Sequence, residues 1–121
     1  MDNYTKEELK EALQVVSSTI KNCEKIHPKF EKGTSQHTLL KNRIKALYIS
    51  KFLIADDNAI DKYTREELEQ AMLPIASIIS KSEKAYLKAV EGTGTYTRLK
   101  KIIKAMEISK SLIRNRINIY E

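Results

Sequence analysis

The sequence predicts an all-α fold, a four-helix bundle built from two tandem antiparallel helical hairpins with approximate two-fold symmetry. Three observations predict it: an internal repeat, a helix-start device heading each copy, and apolar side chains recurring every three or four residues.

The repeat organises the rest. Residues 4–54 read YTKEELKEALQVVSSTIKNCEKIHPKFEKGTSQHTLLKNRIKALYISKFLI, and residues 63–113 read YTREELEQAMLPIASIISKSEKAYLKAVEGTGTYTRLKKIIKAMEISKSLI. At a constant offset of 59 residues, roughly 24 of 51 positions are identical without a gap. Chance does not produce that. The chain of 121 residues has the length of one domain, so 1–121 is read as a single domain with repeats 4–54 and 63–113 and a linker at 55–62.

Helix one opens on a capping box, in which the Thr5 hydroxyl caps and Glu8 reaches back to the Thr5 amide. Tyr4 and Leu9 are placed to staple across it, and Glu7 and Glu8 sit where the helix dipole favours acids. Helix three repeats the device with Tyr63, Thr64, Glu66, Glu67 and Leu68. One apolar face then runs along each helix. It comprises Leu9, Leu13, Val16, Ile20, Cys23, His27 and Phe30 in copy one, and Leu68, Met72, Ile75, Ile79, Ser82, Tyr86 and Ala89 in copy two.

Gly33 and Gly92 are expected to stop helices one and three, since glycine readily takes the left-handed conformation of a C-terminal cap. Thr34-Ser35 and Thr93-Gly94-Thr95 supply the next N-caps. Helices two and four carry Leu40, Ile44, Leu47, Leu53 and Ile54, or Leu99, Ile103, Met106, Leu112 and Ile113. Short turns make each pair antiparallel, and two hairpins bury faces that one alone would leave wet. The linker ADDNAIDK is polar, and the tail Ile117 to Tyr120 extends the last helix. Pro74 lies inside helix three and Pro28 near the end of helix one, which it could end early; for both the expectation is a tolerated bundle kink.

Composition excludes several classes. Three Gly and two Pro imply few turns and long helices, and 41% hydrophobic with 31% charged residues is a globular balance, not a disordered one. No apolar run approaches the roughly 18 residues of a membrane span. The N-terminus is polar and acidic, and one cysteine leaves no intrachain disulfide, so the expected location is cytoplasmic.

The segment GTSQHTLLKNRIKALYIS (residues 33–50), preceded by EAL and SSTIKNCEK within residues 11–25, resembles a group of small uncharacterised bacterial helical-hairpin proteins. The resemblance covers the first copy. The second keeps the Gly-Thr start and several apolar positions but loses Ser-Gln-His. It implies a hairpin fold and no activity, since none is known for the group. If single-copy relatives exist, the resemblance implies that they dimerise and that this chain looks like such a dimer fused into one polypeptide.

Candidate chemistry is sparse. Cys23 and His27 are four apart on one face and His37 lies past the turn, a set that could interest zinc. Pairing about the turn sets His37 beside Phe30, which leaves Cys23 about 10 Å away along the axis. Copy two offers Ser82, Tyr86 and Tyr96 instead, so the expectation is a core cysteine and interfacial histidines, with no metal and no cofactor. Cys23 with His27 lacks an orienting third group and oxyanion donors, and no Gly-rich phosphate loop is present. The chain is not expected to be an enzyme.

Charge segregation is the remaining signal in a chain of net charge +6. Helix two carries Lys41, Arg43, Lys45 and Lys51 and no acid; helix four carries Arg98, Lys100, Lys101, Lys104, Lys110, Arg114 and Arg116 against Glu107 and Glu121. Lys41 and Lys45 share an outer face, as do Lys100 and Lys104, and Tyr48 and Phe52 flank the first stripe. A protein-interaction module docking through these groups is the leading expectation. Phosphate binding on nucleic acid by Lys41, Lys45, Lys100, Lys101 and Lys104 is the alternative. A membrane partner is not expected, and further homo-oligomerisation is open.

Overall fold

The computed structural model describes residues 4–120. Four helices account for most of them: α1 (Lys6–Ile26), α2 (Ser35–Ile54), α3 (Arg65–Lys88) and α4 (Gly94–Ile119), with 3-10 turns at His27–Lys29 and Asn58–Lys62. There is no strand among the described residues. The fold is the all-α four-helix bundle that the repeat and the periodicity predict.

Local chemistry sets the helix starts. Thr5 Oγ1 accepts from the Glu8 amide at 3.0 Å while Glu8 Oε1 accepts from the Thr5 amide at 3.0 Å. Thr64 and Glu67 close the same ring at 3.1 and 2.9 Å. Thr34 and Thr93 cap α2 and α4, accepting from the amides of His37 and Tyr96, each at 3.2 Å.

The helix ends differ from expectation. Gly33 and Gly92 do adopt left-handed backbone, φ 89° and 88°, but they sit in the turns, not at the helix caps. α1 ends at Ile26 because Pro28, which has no N–H, draws the next residues into a 3-10 turn; α3 ends at Lys88 with Ala89 extended. α3 continues through Pro74, which leaves the Gln70 carbonyl without its helical donor. The linker is more than a polar tether. Ile60 is buried in the core, Asp57 caps the 3-10 turn through the Ala59 amide, and Arg116 of α4 grips Asp61 at 2.7 Å.

Helices α2 and α4 form the centre. Each touches both α1 and α3, and they touch one another, whereas α1 and α3 do not meet among the described residues. The fully buried set on the central helices includes small side chains at matched positions, Ala46 and Ser50 on α2 and Ala105 and Ser109 on α4. Small residues one turn apart let two backbones approach closely. Leu47, Ile49, Met106 and Ile108 pack beside them. Three neighbours per central helix explain why their apolar residues spread around the barrel of the helix and do not form one stripe. Ser50 and Ser109 donate to the carbonyls of Ala46 and Ala105 at 2.9 and 2.8 Å, which satisfies two buried hydroxyls inside their own helices.

Enlarging the small positions should therefore cost more than removing the hydroxyls. Ala46→Leu or Ala105→Leu is expected to lower unfolding free energy by about 1–3 kcal/mol through overpacking. Ser50→Ala and Ser109→Ala, which each delete one local bond, should change it by about 1 kcal/mol or less. Urea unfolding followed by circular dichroism decides between these orders.

Candidate functional site

The basic helices run beside the acidic helix starts of the opposite repeat. Lys45 Nζ lies 2.6 Å from Glu67 Oε2, and Lys104 Nζ lies 3.2 Å from Glu8 Oε2. At the offset of 59, Lys45 corresponds to Lys104 and Glu67 to Glu8, so these are one contact seen twice. Residue i of copy one meets residue j of copy two, and the reverse, which is the reciprocity of an isologous two-fold interface. Lys101 Nζ adds a longer contact of 3.7 Å to Glu11. The glutamates serve twice, since each also closes a capping box. The backbone bond from Thr5 and then Lys104 hold the Glu8 carboxyl below its ordinary value; for Glu67 the Lys45 contact is the larger cause and the Thr64 amide the second.

Of the sequence-predicted contact residues, Lys45, Lys101 and Lys104 are thus engaged across the repeat interface. Lys41 and Lys100 are exposed and have no ion pair among the described residues. Tyr48 and Phe52 are half-buried against the core, not free platforms. The Tyr48 hydroxyl donates to Glu24 Oε2 at 2.9 Å, and this bond raises its pKa. Tyr48, Phe52 and Tyr63 form a run of tilted rings at 6.1 and 6.2 Å, with the Lys51 ammonium 5.8 Å from the Tyr48 ring. The group ties α2 to the start of α3.

At the turn ends the two copies diverge. His27 and His37 stack at 4.1 Å between ring centroids; the equivalent Tyr86 and Tyr96 stack at 4.7 Å and share a hydroxyl bond of 2.7 Å. His37 therefore lies beside His27 and not beside Phe30, because the early end of α1 shortens the approach to the turn. Burial, then the electrostatic effects of His27, Lys32 and Lys41, lower the His37 pKa from 6.5. Burial raises the Cys23 thiol above 9.0, with Arg43 opposing, so the thiol stays protonated at neutral pH. No group of three or more His, Cys, Asp or Glu side chains among the described residues could hold a metal ion. No helix among them is long and apolar enough to cross a membrane.

Two repeat-related grooves remain. The α2–α3 groove, about 910 Å³, is lined by Leu39, Asn42, Arg43, Glu69, Gln70, Leu73 and Pro74 among others. Its α1–α4 counterpart, about 630 Å³, is lined by Gln14, Val15, Arg98 and Lys101 among others. Leu39 corresponds to Arg98, and Leu73 to Gln14. Leu39 and Leu73 are 68% and 78% exposed, with Leu87 and Val90 also exposed where copy one has Pro28 and Glu31. Reading each copy separately misses these residues. Comparing the copies at polar-face positions finds them.

Comparison with protein-family models, with curated proteins and with solved structures gives no match to this chain.

Two pH dependences follow. The folded-state values of Glu8 and Glu67 lie below 4.5, so their contribution is present above that value and is lost as pH falls through the folded values. Glu8→Gln/Glu67→Gln should flatten the acid limb of a stability-versus-pH curve below about pH 4.5. His37 has the opposite charge type but the same sign of slope. Its folded value lies below 6.5, so the unfolded chain takes up protons first and acidification below that value destabilises the fold. Replacing both histidines by the residues of copy two, His27→Tyr/His37→Tyr, should remove the slope between pH 7 and about 5, as read by thermal unfolding.

Proposed function

We propose that the protein is a non-enzymatic interaction module whose partner is a protein, met on the side of the bundle carrying Leu39 and Leu73. One observation carries the reading: two grooves share a backbone design, yet only one is rimmed by large exposed apolar side chains. Apolar groups at a wet surface cost solubility, and clusters of them mark surfaces that become covered. A chemical role finds less support, since Cys23 is buried with a raised pKa and the stacked histidines have no assembled third group.

The nucleic-acid reading draws on the net charge of +6 and on exposed Lys41 and Lys100. It draws less on Lys45, Lys101 and Lys104. Their contacts with Glu67, Glu11 and Glu8 would have to be exchanged for phosphates, which reduces the gain from counterion release.

Site-specific photo-crosslinking in the cells that make the protein tests the proposal with an internal control. A crosslinking residue at Leu73 or Leu87 should give protein adducts, and one at the equivalent Gln14 or Pro28 should give far fewer. Equal labelling of both pairs, or none at either, would sink the reading. Salt-sensitive anisotropy with random duplex DNA, falling a hundredfold or more from about 50 to 200 mM salt, would favour nucleic acid instead.

A further inference from the structure

We infer that the α2–α3 groove is a homodimer surface, docking on the same groove of a second copy with the two-fold axis parallel to the groove. The inference rests on the protein-interaction reading and names the partner. The register between the groove walls is what points to a second copy. α2 and α3 run antiparallel, and the Lys45–Glu67 pair places their walls level at numbers summing to 112. By that rule Leu39 lies level with Leu73, Asn42 with Gln70, and Arg43 with Glu69, and the groove is lined by all six.

A two-fold axis along the groove exchanges the walls while keeping position along it. Each α2 wall then faces the partner's α3 wall at the same level. Leucine would meet leucine, amide would meet amide, and the Arg43 guanidinium would meet the Glu69 carboxylate, each contact made twice. An axis across the groove would instead set α2 against α2, which carries no acid, and would leave the Arg43 guanidinium without an opposite charge. Charge complementarity thus selects both the partner and the axis. The neighbouring Lys45–Glu67 pair is satisfied within the chain and can remain so. Glu69 is shared with Arg65 at 3.1 Å on its own helix, a contact half-exposed on both sides and open to a second guanidinium.

The sibling groove supplies fold-safe substitutions. Leu39→Arg/Leu73→Gln installs the residues that copy two and copy one carry at the same backbone positions. Sedimentation equilibrium of the full chain across about 5–500 µM should show a dimer for the wild type and a monomer for this variant, with helicity unchanged. Arg43→Glu alone and Glu69→Arg alone should each weaken association about tenfold or more. Mixing these two single variants restores opposite charges at both contacts of the heterodimer, so association should recover to within about threefold of the wild type. A pairing within one chain cannot be rescued by mixing, and that separates the two origins. A wild-type chain that stays monomeric at about 500 µM, a dimer untouched by Leu39→Arg/Leu73→Gln, or a mixture without recovery overturns the inference. If the chain is monomeric while Leu73 still crosslinks to a different protein, the interaction module stands and only the homodimer falls.

Discussion

The central place of α2 and α4, each packed against the three other helices, is the constraint from which the remaining geometry follows. Ala46 and Ser50 on one helix, and Ala105 and Ser109 on the other, are fully buried side chains of little bulk. α2 and α4 are the inner pair, and α1 and α3 lie on the flanks, where they do not meet among the described residues. Serine at such a position is tolerable because its hydroxyl bonds the carbonyl one turn back. A methyl group more at any of the four would act on every neighbour at once, since interiors are close-packed and transmit strain.

The same constraint arranges the charges. With α2 and α4 central, each basic helix lies along the start of the other repeat's first helix, and that start is acidic because a helix N-terminus favours acids. Lys45 and Lys104 therefore find Glu67 and Glu8 without any dedicated design beyond the repeat itself. These surface pairs contribute modestly to stability, as half-exposed ion pairs do. Their larger effect is on specificity of assembly. Each lysine meets the capping glutamate of the other copy, so the pairs hold the two hairpins in one relative register.

Much of this was legible in the sequence. The capping boxes at Thr5 and Thr64, the caps at Thr34 and Thr93, and the extension of the last helix are all local signals, and each is in place. What could not be read was long-range. Ala46, Ala105, Ala12 and Ala71 are too small to stand out in an apolar pattern, yet they are core. Ile60 looks like a stray residue in a polar linker until the bundle provides a place to bury it. The stripe of Lys45, Lys101 and Lys104 reads as free charge along α2 and α4 because its acids arrive from the other copy. Periodicity assigns a residue to a face; it does not say which neighbour that face meets.

The duplication offers a remedy within one chain. Two copies on a common backbone plan share most of the demands that folding makes at equivalent positions, so a residue of one copy shows what the backbone tolerates in the other. At the core the copies exchange like for like, Leu47 for Met106 and Val16 for Ile75, as volume and burial require. On the outer faces the exchange is unlike: Leu39 for Arg98 and Leu73 for Gln14. Arginine and glutamine at those places show that solvated side chains satisfy the backbone there, so folding does not require leucine. Two leucines level with one another across a single groove, beside an arginine level with a glutamate, are thus a local departure from the symmetric plan. That departure leaves the core untouched and alters one surface, which is why the interaction reading is placed there.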